Sequence, residues 1–160
     1  MAYEFYVTIE AAKQGRLAGE STREVHSGKL AGIGFSYEVC WPRDAPSGQA
    51  TGKRQHGAVT FTKEWGPASP QLFTALVTNE VLETVLFEFV RANDVGVERV
   101  FHTIRLTTAA VTGIHQYVGV QDDAELDNAE LEDVALTFRG IEIENVDGRT
   151  TASDIAGGRR

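Results

Sequence analysis

The stretch APSGQATGKRQHGAVTFTKEWGPASPQLFT, Ala45 to Thr74, passes through three kinds of local structure in one short span. It opens as a loop, because Pro46, Gly48 and Gly52 suit turns and interrupt ladders. Val59, Phe61, Lys63 and Trp65 then alternate with Thr60, Thr62 and Glu64, the period of two expected of a strand. The lysine in that row weakens the case that the whole face is buried. Ser69-Pro70 next predicts a helix start: serine can accept from the free N–H groups, and proline at the first helical position gives up no bond. Leu72, Phe73, Leu76 and Val77 make one apolar stripe, with Asn79 as the expected stop. A helix this short needs a sheet face to pack on.

Working outward, alternation dominates. Tyr3, Phe5, Val7 and Ile9 share one face of a first strand, and a polar connection from Ala11 to Arg23 follows. In the next strand Ile33, Phe35, Tyr37, Val39 and Trp41 line one side, while Gly32, Gly34, Ser36, Glu38 and Cys40 line the other. A face that small and polar suggests solvent or the close approach of another backbone. Pro42 ends that strand, having no N–H for the ladder. Downstream, Val85, Phe87 and Phe89 form a row, Ala92–Gly96 reads as a hairpin turn, and Val100, His102, Ile104 and Leu106 begin a strand running on towards Tyr117. Val134, Leu136 and Phe138 alternate, but Ile141 and Ile143 sit on the opposite parity, so a β-bulge is expected at Gly140.

These patterns predict a mainly β fold, a β-barrel or sandwich of two sheets with one α-helix covering a face or an end. A single domain is expected over residues 1–147, with a disordered tail over 148–160 that has little to bury. The chain of 160 residues is long enough to form a core without metals or disulfides, and Cys40, its only cysteine, can make no intrachain disulfide. The formal net charge is −8, concentrated between Gln121 and Asp147, where ten acids face one base, Arg139. Such an acidic chain is poorly suited to nucleic acid. The N-terminus, MAYEFYV, shows no signal-peptide pattern, and no apolar run approaches a membrane span. The expectation is a protein that starts in the cytoplasm and, if exported, leaves without a classical signal.

No catalytic constellation stands out. Gly48-x-x-x-Gly52-Lys53-Arg54 is one residue short of a phosphate-binding loop, lacks its hydroxyl and leads into a strand. His26, His56, His102 and His115 show no metal-ligand spacing, and His102 reads as a satisfied core or half-buried histidine within its strand. Asp123-Ala-Glu125-Leu-Asp127-Asn128 alternates oxygens like a calcium loop but lacks the turn glycine and the closing glutamate. The residues therefore predict a non-enzyme with no cofactor and no metal.

The segment SGQATGKRQHGAVTFTKEWGPASPQLFTAL, Ser47 to Leu76, resembles the central signature of the hemolysin-coregulated protein (Hcp) family, the tube subunit of bacterial type VI secretion. Tyr3–Ser21 (YEFYVTIEAAKQGRLAGES), Glu83–Arg91 (ETVLFEFVR) and Leu136–Asn145 (LTFRGIEIEN) also match the family's pattern. The resemblance implies a phage tail-tube-like subunit that forms homohexameric rings stacked into a hollow conduit. It also implies the spike, sheath and baseplate of the secretion machine and small effector proteins as partners, and export of the subunit itself. Under that implication Arg43, Lys53 and Arg54 form a candidate inter-subunit or inter-ring loop, with the acidic block Gln121–Asp133 as its counterpart. Gly32, Gly34 and Ser36 form a candidate lumen or close-contact face. The alternative is a small-ligand-binding β-barrel lined by Phe5, Phe35, Tyr37, Phe87 and Phe89, residues that serve equally as core.

Overall fold

The structure, a computed structural model, describes residues 4–118 and 130–156. Its elements are β1 (Glu4–Ala11), β2 (Gly15–Arg16), β3 (Leu30–Gly32), β4 (Gly34–Ser36), β5 (Val39–Cys40), β6 (Gln55–His56), β7 (Val59–Glu64), α1 (Ala68–Val77), β8 (Leu82–Ala92), β9 (Glu98–Val118), β10 (Glu130–Thr137), β11 (Gly140–Asn145) and β12 (Thr150–Ile155). Every pairing is antiparallel, in the order β2-β1-β8-β9-β10-β7-β4, with β3 on β1, β11 on β9 and β12 on β11. β5 and β6 form a separate two-stranded sheet. The fold is mainly β with one helix, as the alternation predicts. Among the described residues the ladder does not close into a barrel. Instead, β3 and β4 lie either side of Ile33, one bonded to each end of the ladder, and the Ile33 N–H donates to Thr62 O at 2.8 Å.

β9 is the spine. Its first part pairs with β8 on one edge and β11 on the other, and its last part, Ala110–Val118, pairs with β10. The change of partners falls at Thr108, whose φ of 49° lies in the left-handed region. The parity slip after Phe138 therefore has a different cause from the expected bulge at Gly140. β10 ends at Thr137, and the chain resumes as β11 on the other half of β9. A bulge is present one strand away, where β9 carries Thr112 as an extra residue between the partners of Ala135 and Leu136. The hairpin at Ala92–Gly96 forms as expected, with Asn93 Oδ1 accepting from the Val95 and Val97 N–H groups.

The inward rows meet in a packed aromatic centre. Phe35 stands edge-on to Phe87 with ring centres 5.0 Å apart, Phe61 meets Phe87 at 5.5 Å, and Phe5 meets Phe89 at 5.1 Å. Such pairs add about 0.5–1.5 kcal/mol each beyond the area they bury. The rings fill the space that a ligand-binding barrel would keep open, so they are core and not a lining.

The helix departs from expectation in which face it buries. Ala68, Leu72 and Ala75 face the core, at i, i+4 and i+7, while Phe73 and Val77 are 59% and 62% exposed. Ser69 does not cap the helix; its N-cap is Pro67, with no side-chain bond. The Ser69 hydroxyl instead donates to Glu132 Oε2 at 2.8 Å and accepts from the Gly66 N–H at 3.1 Å. Glu132 is fully buried against Lys63, whose Nζ lies 3.0 Å from Oε2 and donates to Glu64 O at 2.7 Å. Gln116 Nε2 donates to the other carboxylate oxygen at 2.8 Å. The lysine that looks out of place in the apolar row is thus buried, with its charge answered.

The C-terminal region corrects a second expectation. Thr150–Ile155 is not a disordered tail but a strand, paired along its whole length with β11. Its side chains are mostly exposed, so the backbone ladder, not burial, holds it. That is why apolar content alone did not reveal it.

One prediction follows from the buried pair. Lys63→Ala leaves Glu132 as an uncompensated buried charge and should cost about 3–5 kcal/mol. The double change Lys63→Met with Glu132→Leu should be near neutral by comparison. Urea unfolding of the two variants checks this, and equal losses in both would refute it.

Candidate functional site

The basic loop is an ordered arm. Residues 38–57 run out through β5, turn, and return through β6, with Val39 paired to His56, Cys40 to Gln55, and the Gly57 N–H donating to Glu38 O at 2.8 Å. Its tip is closed by its own backbone: Asp44 N–H to Gln49 O at 2.7 Å and Thr51 N–H to Pro42 O at 2.8 Å. Asp44 occupies the turn, accepting from the Ser47 N–H at 3.1 Å and the Ser47 hydroxyl at 2.7 Å, and these bonds hold its carboxyl below the usual range. The Gly48 N–H donates to Asp44 O at 2.7 Å. The Ser47 and Gly48 donors are therefore spent on Asp44, and positive φ at Gly48 and Gly52 shapes the turn.

The three bases proposed for this loop separate. Arg43 and Lys53 are exposed on the arm. Arg54 is not: its guanidinium forms a forked ion pair with Asp154 of β12, with Nη2 donating to Oδ1 at 2.6 Å and Nε donating to Oδ2. His56 Nε2 also meets Asp154 Oδ2 at 2.8 Å, and its Nδ1 lies 2.6 Å from the Tyr37 hydroxyl. Arg54 and His56 hold the Asp154 carboxyl far below the ordinary range. Tyr37, His56 and Asp154 superficially suggest a proton relay. Burial, with the Asp154 charge, pushes the Tyr37 phenol up, so it remains a protonated hydrogen-bond donor and a poor nucleophile. The array is a tie between arm and hairpin.

The proposed small-residue face also divides. Gly32 is buried, and a Cβ there would fall inside the Phe5 ring, so its close approach is to its own core. Gly34 pairs with Thr62, and a Cβ there would sit 3.2 Å from Thr62 Oγ1. Ser36, paired with Thr60, is exposed. Thr62 donates to Asp133 Oδ1 at 2.6 Å, so Gly34, Thr62 and Asp133 lie on one polar face of the β4–β7–β10 ladder. Sequence reasoning missed Thr62 and Asp133, although Thr60 and Thr62 on the polar parity of β7 were a usable signal.

The acidic block is only partly visible. Residues 119–129, including the calcium-like Asp123–Asn128 loop, lie outside the described residues. Glu132 and Asp133 are engaged within the chain, by Lys63 and Thr62. Among the described residues no group of three acids, histidines or cysteines could hold a metal ion.

Two other polar ties lie away from the arm. Glu80, buried after the helix, accepts from the Lys13 and Gln14 N–H groups at 2.7 and 2.8 Å, which lowers its pKa and fixes the β1–β2 turn. His26 stacks on Tyr6 with ring centres 4.1 Å apart, and its Nδ1 lies 3.2 Å from Lys29 Nζ, which pairs with Glu88 at 2.7 Å. Burial, then the Lys29 charge, lowers the His26 pKa.

The described residues form an antiparallel β-fold with a packed aromatic centre, carrying a charged arm tied at its base to the C-terminal hairpin. The family pattern described as "Type VI secretion system effector, Hcp" matches residues 6–144. The "Major exported protein" of Pseudomonas aeruginosa is 34% identical over 164 residues, covering 96% of this chain and 95% of that protein. Among solved structures, a crystal structure of an Hcp protein superposes with a TM-score of 0.88 at 29% identity, covering 96% of this chain and 98% of the other. The secreted protein Hcp3 of Pseudomonas aeruginosa gives a TM-score of 0.78 at 27% identity, covering 97% and 99%. The chain belongs to the Hcp family of the type VI secretion system.

Two predictions follow from this geometry. Gly32→Ala overpacks the Phe5 site and should cost about 1–3 kcal/mol, more than Gly34→Ala, whose methyl asks Thr62 to give by only a few tenths of an ångström; thermal melts of both compare them. His26 has a folded pKa below its unfolded value, so the unfolded chain binds the proton more readily. Its contribution is complete above the unfolded pKa and is lost as pH falls below about 6.5 towards the folded value. The fall in urea midpoint from about pH 7.5 to about pH 5.5 should therefore be smaller in His26→Phe than in the parent chain.

Proposed function

We propose that this chain is the structural subunit of a type VI secretion inner tube, forming hexameric rings that stack into a hollow conduit. The observation that carries this reading is the match to Hcp structures over 96–97% of the chain. The surface supports it. Among the described residues β12 pairs on one edge only, and exposed strand edges invite another strand. A closed ring uses such edges in heterologous contacts, head to tail around the axis. The polar face at Gly34, Ser36 and Thr62 suits a wall facing a water-filled lumen. Gly32, buried under Phe5, supports that wall from behind. Arg43 and Lys53 are the exposed charges offered to a neighbouring subunit or ring; Arg54 serves them from within its own chain.

In this reading the subunit acts by assembly and no residue is catalytic. Its partners are copies of itself, the spike, sheath and baseplate, and small effectors carried in the lumen. Like the relative named as exported, it leaves the cell, after residence in the cytoplasm. The test is light scattering coupled to size-exclusion chromatography at low and high salt. A subunit of 17.4 kDa should elute as a ring of about 104 kDa. Lys53→Glu should weaken ring or tube assembly, most visibly at low salt where charge contacts count most. A monomer at both salts would overturn the ring.

A further inference from the structure

We propose that Asp154 is the positioning residue of the arm: through Arg54 and His56 it fixes residues 38–57 on the C-terminal hairpin, so that Arg43 and Lys53 meet a neighbouring subunit in one defined place. The assembly half of this statement rests on the tube reading; the clamp itself does not.

The attachment is polar. Tyr37, Val39, Ile141, Ile143 and Ala152 border a hollow of about 180 Å³ between the arm and the β11–β12 hairpin, with His56 and Asp154 at its edge. Apolar packing under the arm is therefore incomplete, and the fixed points lie in the side-chain chain Tyr37–His56–Asp154–Arg54. Arg54 adds a third anchor, with Nη2 donating to Ile155 O at 3.2 Å. Phe138 stands edge-on to both Tyr37 and His56, at 6.0 and 5.4 Å between ring centres, which limits rotation of those rings. A forked arginine–carboxylate pair fixes direction as well as distance, which a lysine in the same place would not. Arg54 and Asp154 are 100 positions apart in sequence, so the tie joins two segments that no strand pairing connects.

This assignment separates two basic neighbours that look equivalent in sequence. Lys53 points its charge outward; Arg54 turns inward to its own β12. Replacing both with glutamate would disable contact and clamp together and could not distinguish them.

Hydrogen–deuterium exchange of the full chain, read by mass spectrometry over residues 38–57, tests the clamp in whatever oligomeric state the protein adopts. Asp154→Asn should raise exchange of the arm amides at least tenfold, while β8 and β9 exchange as in the parent chain. The charge swap Arg54→Asp with Asp154→Arg should restore protection, a rescue that general loosening would not give. Lys53→Glu should weaken assembly, and its arm exchange should match that of the parent chain compared in the same oligomeric state. Parent-like arm exchange in Asp154→Asn overturns the clamp. A released arm with undiminished assembly overturns its positioning role. Should Asp154→Asn disturb β8 and β9, Arg54→Gln with His56→Phe removes the same bonds from the arm side and decides the same question. A monomeric parent with a protected arm would refute the ring and, with it, the positioning role, while leaving the clamp in place.

Discussion

The contact on which the rest of the structure depends is the buried pair of Lys63 and Glu132. Both side chains are wholly removed from water, which costs several kcal/mol per ion before any compensation. Compensation comes from four directions: the charges answer each other, Lys63 reaches Glu64 O, Ser69 caps one carboxylate oxygen and Gln116 the other. Those groups belong to β7, β10, the start of α1 and β9. The pair therefore adds little net stability and much definition. Lys63 and Glu132 are register partners across β7 and β10. A slip of one residue would turn the lysine out, bring Thr62 in and strand the carboxylate. Register here decides which face of the ladder is polar, so the Thr62–Asp133 surface is a consequence of the ion pair behind it.

Legibility in sequence followed the physics of each element. Alternating rows such as Val7–Ile9, Phe87–Phe89 and Val134–Leu136 are local patterns, and they exposed both the strands and the core. Lys63 was visible only as an exception, because its partner is 69 positions away and the pairing of β7 with β10 must exist before the charge can be answered. The helix was placed correctly but rotated. Phe73 and Val77 are as apolar as Leu72, and periodicity alone cannot say which side of a stripe the small residues Ala68 and Ala75 allow to approach the sheet. β12 escaped because edge strands with exposed side chains are held by backbone bonds, which leave little hydrophobic trace. The parity slip at Gly140 was legible; its cause, a change of partner along β9, was not.

The same distinction governs the candidate surface. The arm's glycines, proline and bases marked it as a loop with charge to offer, and that much was local. The division of labour among Arg43, Lys53 and Arg54 was not local, because Asp154 enters from the far end of the chain. Nor could Gly32 be told from Gly34 by type. They sit two residues apart on one parity, but the chain leaves β1 and joins β7 between them, and one glycine ends under Phe5 while the other faces Thr62.

An arm that must meet another subunit has two ways to do so. It can stay flexible and lose conformational entropy on contact, at a cost that subtracts from every interface it forms. It can instead be fixed beforehand by its own chain. In the ring proposed above, repetition of the arm would multiply whichever choice is made, so a small ordering cost per arm would become a large one for the assembly. Clamping to β12 moves that cost into folding of the subunit. It also accounts for the charge and hydrogen bonding gathered at the base of the arm. Apolar packing would hold the arm down without fixing its heading; a forked ion pair joined by the His56 contact fixes both.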